Sequence, residues 1–173
     1  MYDKMNKKTL IIGIIILILI ITGLIIFNES GNTKTTSTSF NGVKTNINEY
    51  TCMIPKEYQN GNVTDYPGYS LYGTDNDTLY ITVYSNDNNG NTMYNGDWDY
   101  FAKGENNVDE GPKTENITYD GHEIVYVALH SNTRGDYRLA FFEVNGKRVM
   151  LEWRGNNISS NIANIINSFY ALN

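Results

Sequence analysis

Residues Thr9 to Phe27, TLIIGIIILILIITGLIIF, run for 19 positions without a charge and are mostly Ile and Leu. A helix of that length spans roughly 28 Å at about 1.5 Å per residue, close to the ~30 Å hydrocarbon core of a bilayer. Its backbone groups satisfy one another, so it enters lipid without stranded donors or acceptors. A helix at a soluble surface carries a polar stripe, and this one has none. The segment is therefore predicted to cross the membrane, with lipid as its partner over residues 9–27. Lys4, Lys7 and Lys8 precede it against Asp3 alone, and Glu29 follows it. Positive charge stays inside, so residues 1–8 are expected to be a cytoplasmic tail and everything beyond Phe27 to lie outside the cell. A cleaved signal peptide has a shorter apolar core, about 7–15 residues, and a small-x-small cleavage site. LIIFNES offers no such site, and no cysteine follows the run, which argues against a lipoprotein. The reading is an uncleaved signal-anchor in a single-pass protein.

Residues 28–39, NESGNTKTTSTS, hold seven Ser/Thr and no apolar side chain. Such a stretch cannot bury enough surface to offset its ordering entropy, and it reads as a flexible polar linker. From Phe40 aromatics appear throughout, so residues 40–173 read as one exterior domain. Beyond Phe27 acidic residues outnumber basic ones by 18 to 10. Nucleic-acid binding needs clustered Lys and Arg against phosphate, and no such cluster follows residue 8, so no nucleic acid is expected. One cysteine, Cys52, excludes an intrachain disulfide and any cysteine-based metal cluster.

The domain has mainly β patterning. Tyr50, Cys52 and Ile54 alternate before Pro55, and Asp77 to Tyr84 is rich in β-branched and aromatic residues. Two hairpins are predicted where Glu115–Tyr119 and His122–His130 flank Asp120-Gly121, and where Tyr137–Val144 and Lys147–Arg154 flank Asn145-Gly146. Both dipeptides tolerate the positive φ of a type I′ turn. Ile124, Tyr126 and Ala128 alternate with Val125, Val127 and Leu129, so the central strand should be covered on both faces. Ile158, Ile162, Ile165, Ile166 and Phe169 recur at helical spacing, with Asn157 as the expected N-cap. A shorter helix is expected to carry Tyr94, Trp98 and Phe101, ending near Gly104 and capped by Asn95 or Asp97. The fold class is thus α+β: an antiparallel sheet flanked by helices.

The order of these elements resembles the PsbP-like fold family. The resemblance rests on Phe40-Asn41-Gly42-Val43, the strand ending Ile54-Pro55-Lys56-Glu57-Tyr58, Leu79-Tyr80-Ile81-Thr82-Val83, the two Gly-turn hairpins with Val149-Met150-Leu151, and a closing helix through Ile166-Asn167-Ser168-Phe169. The chain is also similar to small single-anchor surface proteins of methanogenic archaea. The resemblance implies an α/β/α sandwich over about residues 40–171 and a non-enzymatic role, and it carries no site residue.

Chemistry-bearing residues are sparse. Counting a calcium loop from Asp87 puts Thr92 at position 6 and Trp98 at position 12, where Gly and Glu are needed, so Asp75, Asp77 and Asp87 read as polar turns. Asp97 and Asp99 are two apart and do not share a helix face. His122 and His130 open and close one strand, too far apart to share a metal. Cys52 reads as a buried packing residue, and Arg134-Gly135-Asp136 as turn chemistry. No catalytic residue, metal or cofactor is assigned, and hydrolysis is the least supported class. Tyr58, Tyr66, Tyr69 and Tyr72 fall in a Gly/Asn-rich stretch and form the candidate binding surface, since Tyr joins an apolar face to a polar tip, the alternative being that they pack along a long loop and the sheet edges. Sequons begin at Asn28, Asn62, Asn76, Asn116 and Asn157, with Asn157 the least available because of its capping role. The expected function is a non-catalytic exterior module for a membrane or envelope component, with carbohydrate or solute binding as the alternative.

Overall fold

The computed structural model describes residues 42–104 and 109–173. The tail, the apolar segment, the linker and the Asn28 sequon lie outside the described residues. Among the described residues no helix is long and apolar enough to cross a membrane.

The chain runs β1 (Gly42–Ile47), β2 (Tyr50–Pro55), β3 (Asn62–Tyr66), β4 (Tyr69–Gly73), β5 (Leu79–Tyr84), α1 (Asn88–Asp97), β6 (Asp109–Tyr119), β7 (His122–Ser131), β8 (Gly135–Val144), β9 (Lys147–Arg154) and α2 (Ser160–Leu172). A π-type turn, Trp98–Ala102, prolongs α1. This is an α+β domain. β1 and β2 form a hairpin, and the other seven strands make one antiparallel sheet in the order β3-β4-β5-β9-β8-β7-β6.

Turn chemistry explains the hairpins. Asp120 and Gly121 take φ of 50° and 86°, and Asn145 and Gly146 take 49° and 81°, the positive pair that a type I′ turn requires. A further hairpin occupies residues 62–73 at the edge of the sheet, in the stretch where a long loop and sheet edges are the alternative to a binding surface. Pro67 and Gly68 join β3 to β4, with Tyr66 opposite Tyr69. Proline presets the first turn position, and Gly68 supplies φ +97° at the second. Glycine is needed there for space as well, because a Cβ would come within 2.9 Å of the Asn89 carbonyl carbon. The tip is thus pressed onto the first turn of α1, and Ser85 N–H and Oγ donate to the Gly68 carbonyl at 2.8 and 3.0 Å.

Strand alternation sends Leu79, Ile81, Val83, Ala140, Phe142, Val149, Leu151 and Trp153 to one face. There α2 lays down Ile162, Ile165, Ile166 and Phe169, all fully buried, and the β1–β2 hairpin adds Ile47, Cys52 and Ile54. Burying each large side chain contributes roughly 1.5–3 kcal/mol. The N-cap of α2 is Ser159, not Asn157: Ser159 Oγ accepts from Ile162 N–H at 3.3 Å. Asn157 is held short of the helix because Trp153 Nε1 donates to its carbonyl at 3.0 Å.

The opposite face carries Tyr84, Val127, Leu129, Tyr137, Leu139, Phe141 and Met150, against which Tyr94, Trp98, Phe101 and Ala102 pack. Gly104 ends this segment at φ +73°. Neither Asn95 nor Asp97 caps α1. Its N-cap is Asp87, whose Oδ1 accepts from Gly90 N–H at 2.7 Å. Asp97 lies at the junction with the π-type turn, where burial beneath the helix lets it accept from Tyr84 Oη at 2.6 Å.

Candidate functional site

The β3–β4 hairpin divides the four candidate tyrosines. Tyr72 points into the α2-side core, is 3% exposed and donates its hydroxyl to the Tyr58 carbonyl. Tyr58 packs partly buried beside the same core. Neither can form an open binding surface, because alternation along β4 turns Tyr72 inward and the short helix Lys56–Tyr58 follows it in. Tyr66 and Tyr69 close the hairpin and remain together at its tip, their rings stacked with centroids 4.9 Å apart at 21°. Tyr66 is 46% exposed.

Tyr66 and Tyr69 are among the residues that line an open cleft of about 550 Å³ at this end of the sheet. Asn46, Asn48 and Glu49, at the β1–β2 turn, form one wall, and Asp65 and Ser70 of the β3–β4 hairpin another, with Ser85 and Asp87 beyond β5. The polar groups are fixed by neighbours. Glu49 accepts from Lys147 Nζ at 2.6 Å, and that hydrogen bond, then the lysine charge, holds its carboxyl below the usual range. Asp65 accepts from Ser70 Oγ at 2.6 Å. Asp87 accepts from Ser85 Oγ at 2.7 Å, which together with the Gly90 amide lowers its carboxyl. Burial raises the Tyr69 phenol, with Tyr66 and Asp97 adding to the effect, so it stays a neutral donor. Carboxylates, amides and hydroxyls beside a stacked aromatic pair suit a neutral, hydroxyl-rich ligand, which offers both donors and an apolar ring face.

The cleft walls escape a sequence reading because they come from three separate turns. Asp87 was visible only as part of a polar run, and Asn46, Asn48 and Glu49 as the link between two short strands. A second polar group sits on the α1 side of the sheet. Glu152, only 7% exposed, takes the Arg134 guanidinium, which also lies 4.5 Å over the Tyr137 ring. Nearby, Tyr80 donates to Asp77, and that bond, with burial, pushes the Tyr80 phenol up to about 12. The signal was a lone Glu152 in the apolar run Val149–Trp153.

The remaining candidates are dispersed. Cys52 is fully buried, and burial pushes its thiol up to about 12. His122 stacks on Tyr170 at 3.5 Å, while His130 Nδ1 lies 2.9 Å from Asp136 Oδ1 at the other end of β7. Asp136 and Arg134 are thus both engaged within the fold. Among the described residues no group of three or more His, Cys, Asp or Glu is placed to hold a metal ion. The sequons at Asn62, Asn76, Asn116 and Asn157 are all exposed, and Asn157 has no capping duty to withhold it.

No protein-family model matches the chain. No curated protein matches it. The crystal structure of PA94 from Pseudomonas aeruginosa, a protein of unknown function, is similar at a TM-score of 0.31 and 13% identity, over 64% of this chain and 80% of that one. A likeness that slight carries no argument.

Proposed function

We propose that the chain is a single-pass surface protein whose exterior domain is a non-catalytic binding module, with the cleft beside Tyr66 and Tyr69 receiving a hydroxyl-rich envelope component such as a carbohydrate. The anchoring half rests on the uncharged segment Thr9–Phe27 and its flanking lysines. The binding half rests on the stacked Tyr66–Tyr69 pair, of which Tyr66 is exposed and Tyr69 packs half-buried against the α1-side core, beside a polar cleft. The PsbP-like reading, an antiparallel sheet with an amphipathic closing helix, agrees with a binding role and adds no residue to it.

The non-catalytic half has a chemical argument. A general acid needs a carboxyl raised toward the working pH. Glu49 and Asp87 are shifted the other way. Asp97 is raised, by burial first, but it is bonded to the Tyr84 hydroxyl under α1, where its charge also reaches Tyr69.

The test is a panel of envelope polysaccharides presented to the full chain. Tyr66→Ala and Tyr69→Ala should each weaken binding by about tenfold or more, as loss of an aromatic anchor does. Tyr100→Ala, an exposed tyrosine elsewhere, should change nothing. Equal binding by all three variants overturns the cleft assignment. Full protection of the domain from protease added to intact cells overturns the topology.

A further inference from the structure

Among the described residues four strands have a side that no strand covers, and three of those sides are defended. The outer amides of β2 are taken by α2: Thr51 N–H donates to Asn173 Oδ1 and Met53 N–H to Ser168 Oγ, both at 2.8 Å. β1 carries an exposed Lys44. β6 carries Pro112 and Lys113, and its register slips between Glu110 and Lys113. Lysine, proline and bulges are the devices that keep sheet edges from pairing. β3, Asn62-Val63-Thr64-Asp65-Tyr66, has no lysine, proline or bulge, and its one charge is Asp65. Its register with β4 is regular, and all five residues are exposed.

Hydrogen-bond parity says which groups β3 offers. In a two-residue hairpin the closing pair, here Tyr66 and Tyr69, exchanges backbone hydrogen bonds, and bonding alternates from there. Asn62, Thr64 and Tyr66 therefore bond inward to β4, while Val63 and Asp65 present N–H and C=O outward.

We infer that this edge is a homodimer interface, in which β3 pairs antiparallel with β3 of a second copy about a two-fold axis through Thr64. That register sets Val63 against Asp65 of the other copy, twice, and all the outward groups of both residues are satisfied by four N–H···O bonds. Thr64 meets Thr64 at a non-hydrogen-bonded position, where Cα atoms approach to about 4.5 Å and Thr–Thr pairs are favourable. The one carboxylate on the strand faces a valine, so an acidic domain meets itself there without opposed charges. Neighbouring registers fail. An axis through Asp65 opposes two carboxylates and sets Val63 against Pro67, which has no N–H. An axis through Val63 calls on Gly61, whose N–H already donates to the Tyr58 carbonyl at 3.4 Å. The sequence of β3 is thus self-complementary in one register, which singles out a second copy as the occupant. A two-fold perpendicular to the sheet also leaves both β1–β2 hairpins on the same side of the paired sheets. The inference rests on the pairing of the β3 backbone and not on ligand binding, although Val63, Asp65 and Tyr66 of this strand also line the cleft.

Five residue pairs bury far less than the ~1,200 Å² of a stable interface, so the dimer is weak in free solution and is best trapped covalently. The full chain, made in a host that adds no sugar at Asn62, would carry Thr64→Cys, Val63→Cys or Asn62→Cys under mild oxidation. The native Cys52 is fully buried with its thiol pushed up to about 12, and stays out of the reaction. Thr64→Cys should form a disulfide dimer at least about tenfold faster than the other two, since a directly opposed pair alone meets disulfide geometry. Adding Val63→Pro, which removes an outward N–H and none toward β4, should cut that rate to the level of Asn62→Cys. Equal rates at all three positions mean random collision and overturn the inference. So does fastest coupling through Val63→Cys, or no dimer from any variant whose new thiol reacts with a maleimide.

Discussion

The two faces of the seven-stranded sheet are made of different materials. Under α2 and the β1–β2 hairpin the contacts are mostly Ile, Val, Leu and aromatic, with Phe142 and Phe169 edge to face at 5.7 Å. The buried charge there, Lys147, sits at the start of β9 and is paired with Glu49. Under α1 the apolar residues are interrupted by charge. Arg148 lies 4.5 Å over the Tyr94 ring, Glu152 holds Arg134, and Tyr84 donates to Asp97. A core needs no ionised groups, and each one placed there costs desolvation that its partner only offsets. The first face is therefore where stability resides. The second tolerates polar chemistry because its cover is shorter, ten helical residues and a π-type turn.

The sharpest way to break this contrast is to cut equal volumes from the two covers. Phe169→Ala empties a site with no exposure and should cost about 3–5 kcal/mol. Phe101→Ala, only partly buried, should cost less than half of that. Urea unfolding of both variants decides. A larger loss at Phe101 would mean that the α1 side carries the stability.

The Glu152–Arg134 pair sharpens the comparison further. Arg134→Ala takes the guanidinium from a carboxylate only 7% exposed and should destabilise by about 1–3 kcal/mol. The double change Arg134→Met with Glu152→Leu should recover most of that, because neither charge is left to desolvate. If the double variant is no better than the single one, the pair is a structural requirement of this face.

A smaller effect separates the two proposed caps of α2. Ser159→Ala should cost about 1 kcal/mol, the usual value of an N-cap oxygen. Asn157→Ala should stay within about 0.5 kcal/mol, since its side chain makes no cap bond. Thermal unfolding of the two variants distinguishes them.

Much of the α2 face was legible in the sequence, and less of the rest. Period-2 and period-3.6 signals are strong when every inward position is apolar, as at Val149, Leu151 and Trp153 or Ile162 through Phe169. Asp-Gly and Asn-Gly announce their turns because only a few residues accept both positive φ values. Pro67-Gly68 did not announce a hairpin, since a type II turn serves loops equally well and β3 has no buried face to reveal alternation. That single omission concealed the candidate site. Without the hairpin, Tyr58, Tyr66, Tyr69 and Tyr72 look equivalent, and nothing brings Asn46, Asp65 and Asp87 to one cleft. The cap was misplaced for a related reason: Asn157 has the right side chain, but a tertiary bond from Trp153 decides where the helix begins.

The smallest prediction is one of sign, and it tests the contrast through pH. Burial raises the Asp97 carboxyl in the folded state, although the Tyr84 hydroxyl pulls the other way. Below the unfolded value of about 3.8 both states are protonated, and Asp97 imposes no penalty. As pH rises through the folded-state value, the unfolded chain ionises freely while the folded chain resists, so stability is lost. Asp97→Asn keeps an acceptor for Tyr84 and cannot ionise. It should match the parent in acid and exceed it at neutral pH, by less than about 1 kcal/mol because the group is partly solvated. Glu49 and Asp87 are lowered in the folded state, so their contribution is present at neutral pH and lost as pH falls through the folded values. Glu49→Gln and Asp87→Asn should therefore be weaker than the parent at neutral pH and equal to it in acid. Melting temperatures of the three variants at both pH values give the opposed signs directly. An Asp97→Asn domain less stable than the parent at neutral pH would show that the α1 face draws stability from its charge, and the division between the two faces would fail.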